Sequence, residues 1–244
     1  MESLPYTGRL LNAIVVLVVT LSAFSLSFSI LKIKKSAEKI QYFGCFWLMT
    51  AFLWLSSTFR NTASAFGALH IDEFFFYWTQ IFLFISGVFL APYLIEKIFK
   101  NQTYSRIALY IYCILAAISI GMVLRFGISI KSADSYGTEY GIDPYAQKMF
   151  LFIIAPLLLL TFFNSLTHII KYFLHTERFY ETMAPLSILL YLLVGLLDEV
   201  GVTGGWSLII FRLIFLASFL MAYTAVLQEE EAARESTKGE VFEI

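Results

Sequence analysis

The chain has 244 residues, of which 59% are hydrophobic, 18% aromatic and only 14% charged. A soluble domain of this size cannot hide so much apolar surface, so lipid has to stand in for a larger core. A net charge of −1 leaves no basic footprint for nucleic acid. The two cysteines, Cys45 and Cys113, both lie inside apolar runs and predict reduced thiols rather than a disulfide framework.

Seven continuous apolar runs follow one another along the chain, at about 10–31, 42–59, 74–95, 107–126, 149–170, 184–200 and 206–227. Each is close to the length that a hydrocarbon layer about 30 Å thick requires of a helix. Backbone groups in lipid must be satisfied within the segment, and the runs do not alternate as barrel strands would, so helices are predicted. The fold class is therefore an all-α membrane protein with seven transmembrane helices. It forms a single bundle over 1–230 with a short cytoplasmic tail over 231–244.

The first run is too long for a secretory h-region, and its positive cluster (Lys32, Lys34, Lys35, Lys39) follows rather than precedes it. An uncleaved first helix with its N-terminus outside is expected. The other connections agree. With that orientation the inner side carries the same four lysines, Lys97, Lys100, Arg106, Lys171, Arg178, Arg234 and Lys238. The outer side carries Arg9, Arg60, Arg125, Lys131 and Lys148, so the bias is eleven against five. A multi-pass plasma-membrane protein with its C-terminus in the cytoplasm is expected. The sequon Asn101-Gln102-Thr103 then falls on the inner side.

Two outer connections stand out. The first, 60–73, reads as a polar loop. The second, 127–148, is the longest in the chain and is rich in Gly, Ser, Asp and Tyr, with Asp143-Pro144 marking a turn or the start of the fifth helix. Pairs at small-xxx-small spacing (Gly87/Ala91, Ala117/Gly121, Ser25/Ser29, Ser218/Ala222) predict close helix packing, within the chain or to a partner.

Ionisable groups inside apolar spans are costly and raise a functional hypothesis by default. Arg212 sits about a turn and a half into the seventh run, and the sixth ends in Asp198-Glu199 just before a short glycine-rich loop. These residues fall at one depth on neighbouring antiparallel helices. They form either a structural ion pair, or an arginine reaching the headgroups, or the charged floor of an outward-facing pocket. Thr79 and Gln80 in the third run lie at comparable depth and either hydrogen-bond between helices or face the same pocket. Trp78, with the Phe/Tyr cluster around it, is either part of an interfacial aromatic belt or of a ligand box.

Cofactor chemistry finds no support. The seventh run has no lysine for a retinal Schiff base. His168 and His175 fall on one helix and His70 in a loop, which gives no axial haem pair and no metal set. No nucleophile elbow, zinc-protease motif, P-loop or dinucleotide fingerprint is present. No cofactor and no catalysis are expected.

One pattern carries further. A basic stretch (LKIKKSAEK) closes the first helix, and a span with Trp47 and Trp54 follows. An acidic-aromatic third helix (FFFYWTQIFLFISGVFLAPYLIEKIF) comes next. The sixth helix ends in LLDEVG and the seventh runs into a charged extension. This layout resembles the seven-helix sensory region at the N-terminus of some bacterial histidine kinases and diguanylate cyclases, over about residues 10–230. The resemblance implies a receptor-like module that binds a small or lipidic ligand and passes a signal through its last helix. No kinase or cyclase follows, so the expected partner is a separate membrane or cytoplasmic protein, reached through helix faces or the tail. A structural subunit or assembly factor of a larger membrane complex, and a transporter or channel component, are the alternatives.

Overall fold

The computed structural model describes residues 7–33, 38–176, 178–199 and 206–240. Lys34 and Lys35, the 201–205 loop and the side chains of Lys39, Glu199, Arg234 and Lys238 lie outside the described residues. The helices are α1 (Thr7–Ile33), α2 (Glu38–Ala65), α3 (Leu69–Phe99), α4 (Gln102–Phe126), α5 (Pro144–Phe173), α6 (Phe179–Glu199) and α7 (Trp206–Glu240). Seven of them, among the described residues, are long and apolar enough to cross a membrane. The chain is an all-helical, multi-pass membrane protein apart from one hairpin.

Each helix outruns its apolar stretch, because hydropathy marks where lipid ends and not where backbone hydrogen bonding ends. The largest correction falls between the second and third spans. The expected polar loop over 60–73 is only a tight turn, with Gly67 at φ +73°. Arg60 stands on α2, and His70 and Asp72 stand on α3. His175, expected on the same helix face as His168, lies beyond the end of α5 in a left-handed conformation (φ 56°).

Local signals set other boundaries. The Asp143 side chain accepts from Tyr145 N at 2.8 Å, with Pro144 in the first turn of α5, as an N-cap followed by proline should. Asn101 caps α4 by accepting from Thr103 N (2.9 Å) and Tyr104 N (3.3 Å), which explains that asparagine without a glycan.

The helices pack in sequential order, and α7 closes the ring against α1. An aromatic part of the core joins α2, α6 and α7. Trp47, Phe46 and Phe219 are fully buried, and Trp47 lies edge-on to Tyr191 (5.6 Å) and Phe219 (5.1 Å). Of the small pairs, Gly87 and Ala91 are buried, and Gly87 faces Leu157 of α5. Ala117 and Gly121 lie on the outside of α4, where the apolar side chains Tyr110, Ile114 and Leu124 are also exposed.

The connection after α4 is an antiparallel hairpin, β1 (Ile128–Ala133) with β2 (Thr138–Ile142). Asp134 builds its turn, accepting from Tyr136 N (2.7 Å) and Gly137 N (2.9 Å). The hairpin lies over the end of the bundle where α1, α3, α5 and α7 begin. Asn12 Nδ2 donates to the Tyr136 carbonyl (3.1 Å) and Arg9 Nε to the Asp134 carbonyl (2.9 Å). Gly8 is required at this junction, because a Cβ there would sit 2.3 Å from the Ser135 carbonyl oxygen.

Candidate ligand cavity

Beneath the hairpin is a cavity of about 160 Å³, walled by α2, α3, α6 and α7 and roofed by β2. Two arginines stand in it at different depths. Arg60, near the roof, donates from Nε to Asp72 Oδ1 at 3.0 Å and from Nη2 to the Thr138 carbonyl. Its guanidinium lies over the rings of Phe76 (4.8 Å) and Tyr140 (5.2 Å). The Asp72 side chain is only 1% exposed, so this ion pair joins α2 to α3 in a place of low dielectric. Burial, and then the neighbouring Asp72 charge, push the Tyr140 phenol up to about 12, so it stays a neutral hydroxyl.

Arg212 forms the floor. It is 7% exposed, donates from Nη1 to Asp198 Oδ2 at 2.7 Å and lies 5.0 Å over the Trp54 ring. Its Nε is buried and has no hydrogen-bond partner among the described residues. Trp54 precedes Arg60 on α2 by about 9 Å of helix rise, so Arg212, which packs on Trp54, lies deeper than Arg60. Gln80 follows Phe76 by about one turn of α3 and stands on the same cavity-facing side. Gln80 is 2% exposed, lines the cavity, and its Oε1 also has no partner among the described residues. Leaving a buried donor or acceptor unsatisfied costs on the order of 1–3 kcal/mol. Here a donor and an acceptor of this kind line the same cavity, with Trp54 Nε1 and the Tyr140 hydroxyl likewise unpartnered among the described residues.

A polar ladder ties the wall to α1. Asn12 Nδ2 donates to Asn61 Oδ1 (2.8 Å), and Asn61 Nδ2 donates to the Ser57 carbonyl (2.7 Å). Below the floor, rings continue the contact. Trp54 meets Phe215 at 4.7 Å, Phe215 meets Tyr191 at 5.3 Å, and Tyr191 meets Trp47 at 5.6 Å. Any shift at the Arg212 level must therefore repack α2, α6 and α7 together.

Of the residues singled out from the sequence, Arg212, Asp198, Gln80 and Thr79 all line this cavity. The Thr79 hydroxyl is spent on the Phe75 carbonyl at 2.9 Å. Trp78 is elsewhere. It is 40% exposed and lies against Phe74 (6.4 Å) and Phe82 (5.7 Å). The side chain of Glu199 lies outside the described residues. Arg60, Asp72, Asn61, Trp54 and Tyr140 complete the site and were not among the site residues read from the sequence. The available signal was the alternation of Ile128, Ile130 and of Thr138, Tyr140, Ile142 around an Asp-Ser-Tyr-Gly turn, which reads as a hairpin. Among the described residues no group of three or more His, Cys, Asp or Glu is placed to hold a metal.

No known family model matches the chain, and no curated protein sequence matches it.

Proposed function

We propose that the chain is a receptor-like sensor that binds a small polar ligand in the hairpin-roofed cavity and relays its presence through α7. The observation that carries this reading is the pairing of Arg212 Nε and Gln80 Oε1, a buried donor and a buried acceptor without partners in one cavity. A fold spends stability on such groups where a ligand completes them. Two further features support the relay. Arg212 is itself on α7, and the aromatic contacts through Trp54, Phe215 and Tyr191 tie the cavity floor to α2 and α6. A ligand can shift α7 only by binding two helix arrangements with different affinity, and close-packed rings tend to have discrete rather than continuous alternatives.

The hairpin end is read as the outer face, because the basic residues concentrate at the other end. The cavity then samples the outer side of a plasma membrane. On the resemblance to bacterial sensory regions, this is the inner membrane of a bacterium. The signal leaves through the cytoplasmic end of α7 to a separate protein partner.

The test uses the full chain in nanodiscs, spin-labelled at positions 176 and 228, with a deproteinised polar cell extract as the probe. The extract is expected to change the distance distribution between the labels in the wild type and not in the Gln80→Leu variant. An unchanged distribution in the wild type would overturn the sensor reading.

A further inference from the structure

We infer that the ligand is a small zwitterion of the amino-acid class, an inference that rests on the sensor reading above. Three observations select this class. The first is charge. Arg60 is neutralised by Asp72 and Arg212 by Asp198, so neither guanidinium needs a further counter-ion. A ligand with a net charge would enter a place of low dielectric without a counter-charge. A net-neutral ligand avoids that cost.

The second is hydrogen bonding. Arg212 Nε offers a donor and needs an acceptor, while Gln80 Oε1 offers an acceptor and needs a donor. A simple carboxylate supplies no donor, and a simple ammonium supplies no acceptor. A zwitterion supplies both, and each bond is charge-assisted and so stronger than a neutral amide could make. Its carboxylate would meet Arg212 Nε, and its ammonium would meet Gln80 Oε1.

The third is size and wall chemistry. A cavity of about 160 Å³ is on the scale of the 150 Å³ engineered cavity that holds benzene, so about six to nine non-hydrogen atoms fit. Leu53, Leu83, Leu208 and Phe215 line it beside the polar groups, which suits a modest apolar side chain.

The experiment is calorimetric titration of the full chain in nanodiscs with L-leucine and three molecules of the same skeleton. These are 3-methylbutylamine (cation), 4-methylpentanoate (anion) and 4-methylpentanamide (neutral); glycine and L-phenylalanine extend the size range. Binding of one or more of the amino acids, with the amine, acid and amide weaker by roughly tenfold or more, is expected, since each lacks at least one charged hydrogen bond. Gln80→Leu is expected to abolish that preference while raising the thermal midpoint, because it removes a buried acceptor that the empty cavity leaves unsatisfied. A midpoint that rises without loss of amino-acid binding would overturn the assignment. Equal or tighter binding of the acid, amine or amide would overturn the zwitterion class and leave the sensor reading standing. Amino-acid binding that leaves the 176–228 distance unchanged would do the reverse. Failure of all three amino acids to bind would overturn the class outright.

Discussion

Replacing Asp72 by alanine should be among the most damaging single changes at the hairpin end of the bundle. The substitution leaves the Arg60 guanidinium between α2 and α3 with the Thr138 carbonyl and two ring faces, but without its carboxylate. Breaking a fully buried pair costs about 3–5 kcal/mol. The Arg60 side chain is 17% exposed, and its ring contacts persist at roughly 0.5–2 kcal/mol, so about 2–3 kcal/mol is expected here. At roughly 2–4 °C per kcal/mol for a chain of this size, the thermal midpoint of the purified protein should fall by about 4–12 °C. Arg60→Met should cost more, about 3–5 kcal/mol, because Asp72 is the more deeply buried partner and Arg60 Nε is its hydrogen-bond donor. Replacing both together by Met and Leu should recover most of the loss, since an apolar pair removes the uncompensated charge. An Asp72→Ala midpoint within about 1 °C of wild type would place the pair among weak surface bridges and refute the reasoning.

Gly8→Val should lift the hairpin off α1, because its Cβ would sit 2.3 Å from the Ser135 carbonyl oxygen; faster proteolytic cleavage within 128–142 checks this, and unchanged cleavage counts against the docked hairpin. At the opposite end, hydrogen bonds from Arg106 and Tyr42 hold the Glu38 carboxyl below its usual value of 4.5. Its stabilising contribution is therefore present above that value and is lost as pH falls through the lowered one. Glu38→Gln should flatten that part of the pH–stability curve, and an unchanged acid limb would show that the pair contributes nothing. In a background lacking Cys45 and Cys113, a cysteine at 135 should label from outside intact cells and one at 102 should not; the opposite pattern would reverse the membrane orientation.

The helices were legible because hydropathy reports burial in lipid directly. Seven apolar runs became seven helices, and of the two readings open for Asp143-Pro144, a turn or a helix start, the structure has the helix start. Helix ends were less legible where polar residues continue the helix into the bundle interior. Arg60 and Asp72 look like loop residues by composition, yet they lie on adjacent helix ends where tertiary packing buries their charges. That misreading hid half of the cavity. Arg212 and Asp198 were found because a charge in an apolar run is conspicuous and a short loop makes the two helices neighbours. Trp78 was left between an aromatic belt and a ligand box because an aromatic cluster has no intrinsic face; only the rotation of α3 decides that Gln80 turns inward while Trp78 turns out, as a belt residue would. The hairpin was missed because its alternation is short and interrupted by an irregularity between Ile130 and Ser132.

The central claim is that Arg212 Nε and Gln80 Oε1 are the two ends of a ligand site. The most direct measurement is an experimental structure of the full chain with an amino acid that binds it, at a resolution that separates a ligand from ordered water. The account requires non-protein density within hydrogen-bond distance of both atoms, continuous between them and bounded by Trp54 and Phe215. A cavity holding only isolated waters, or one closed by a direct bond from Arg212 to Gln80, would contradict it.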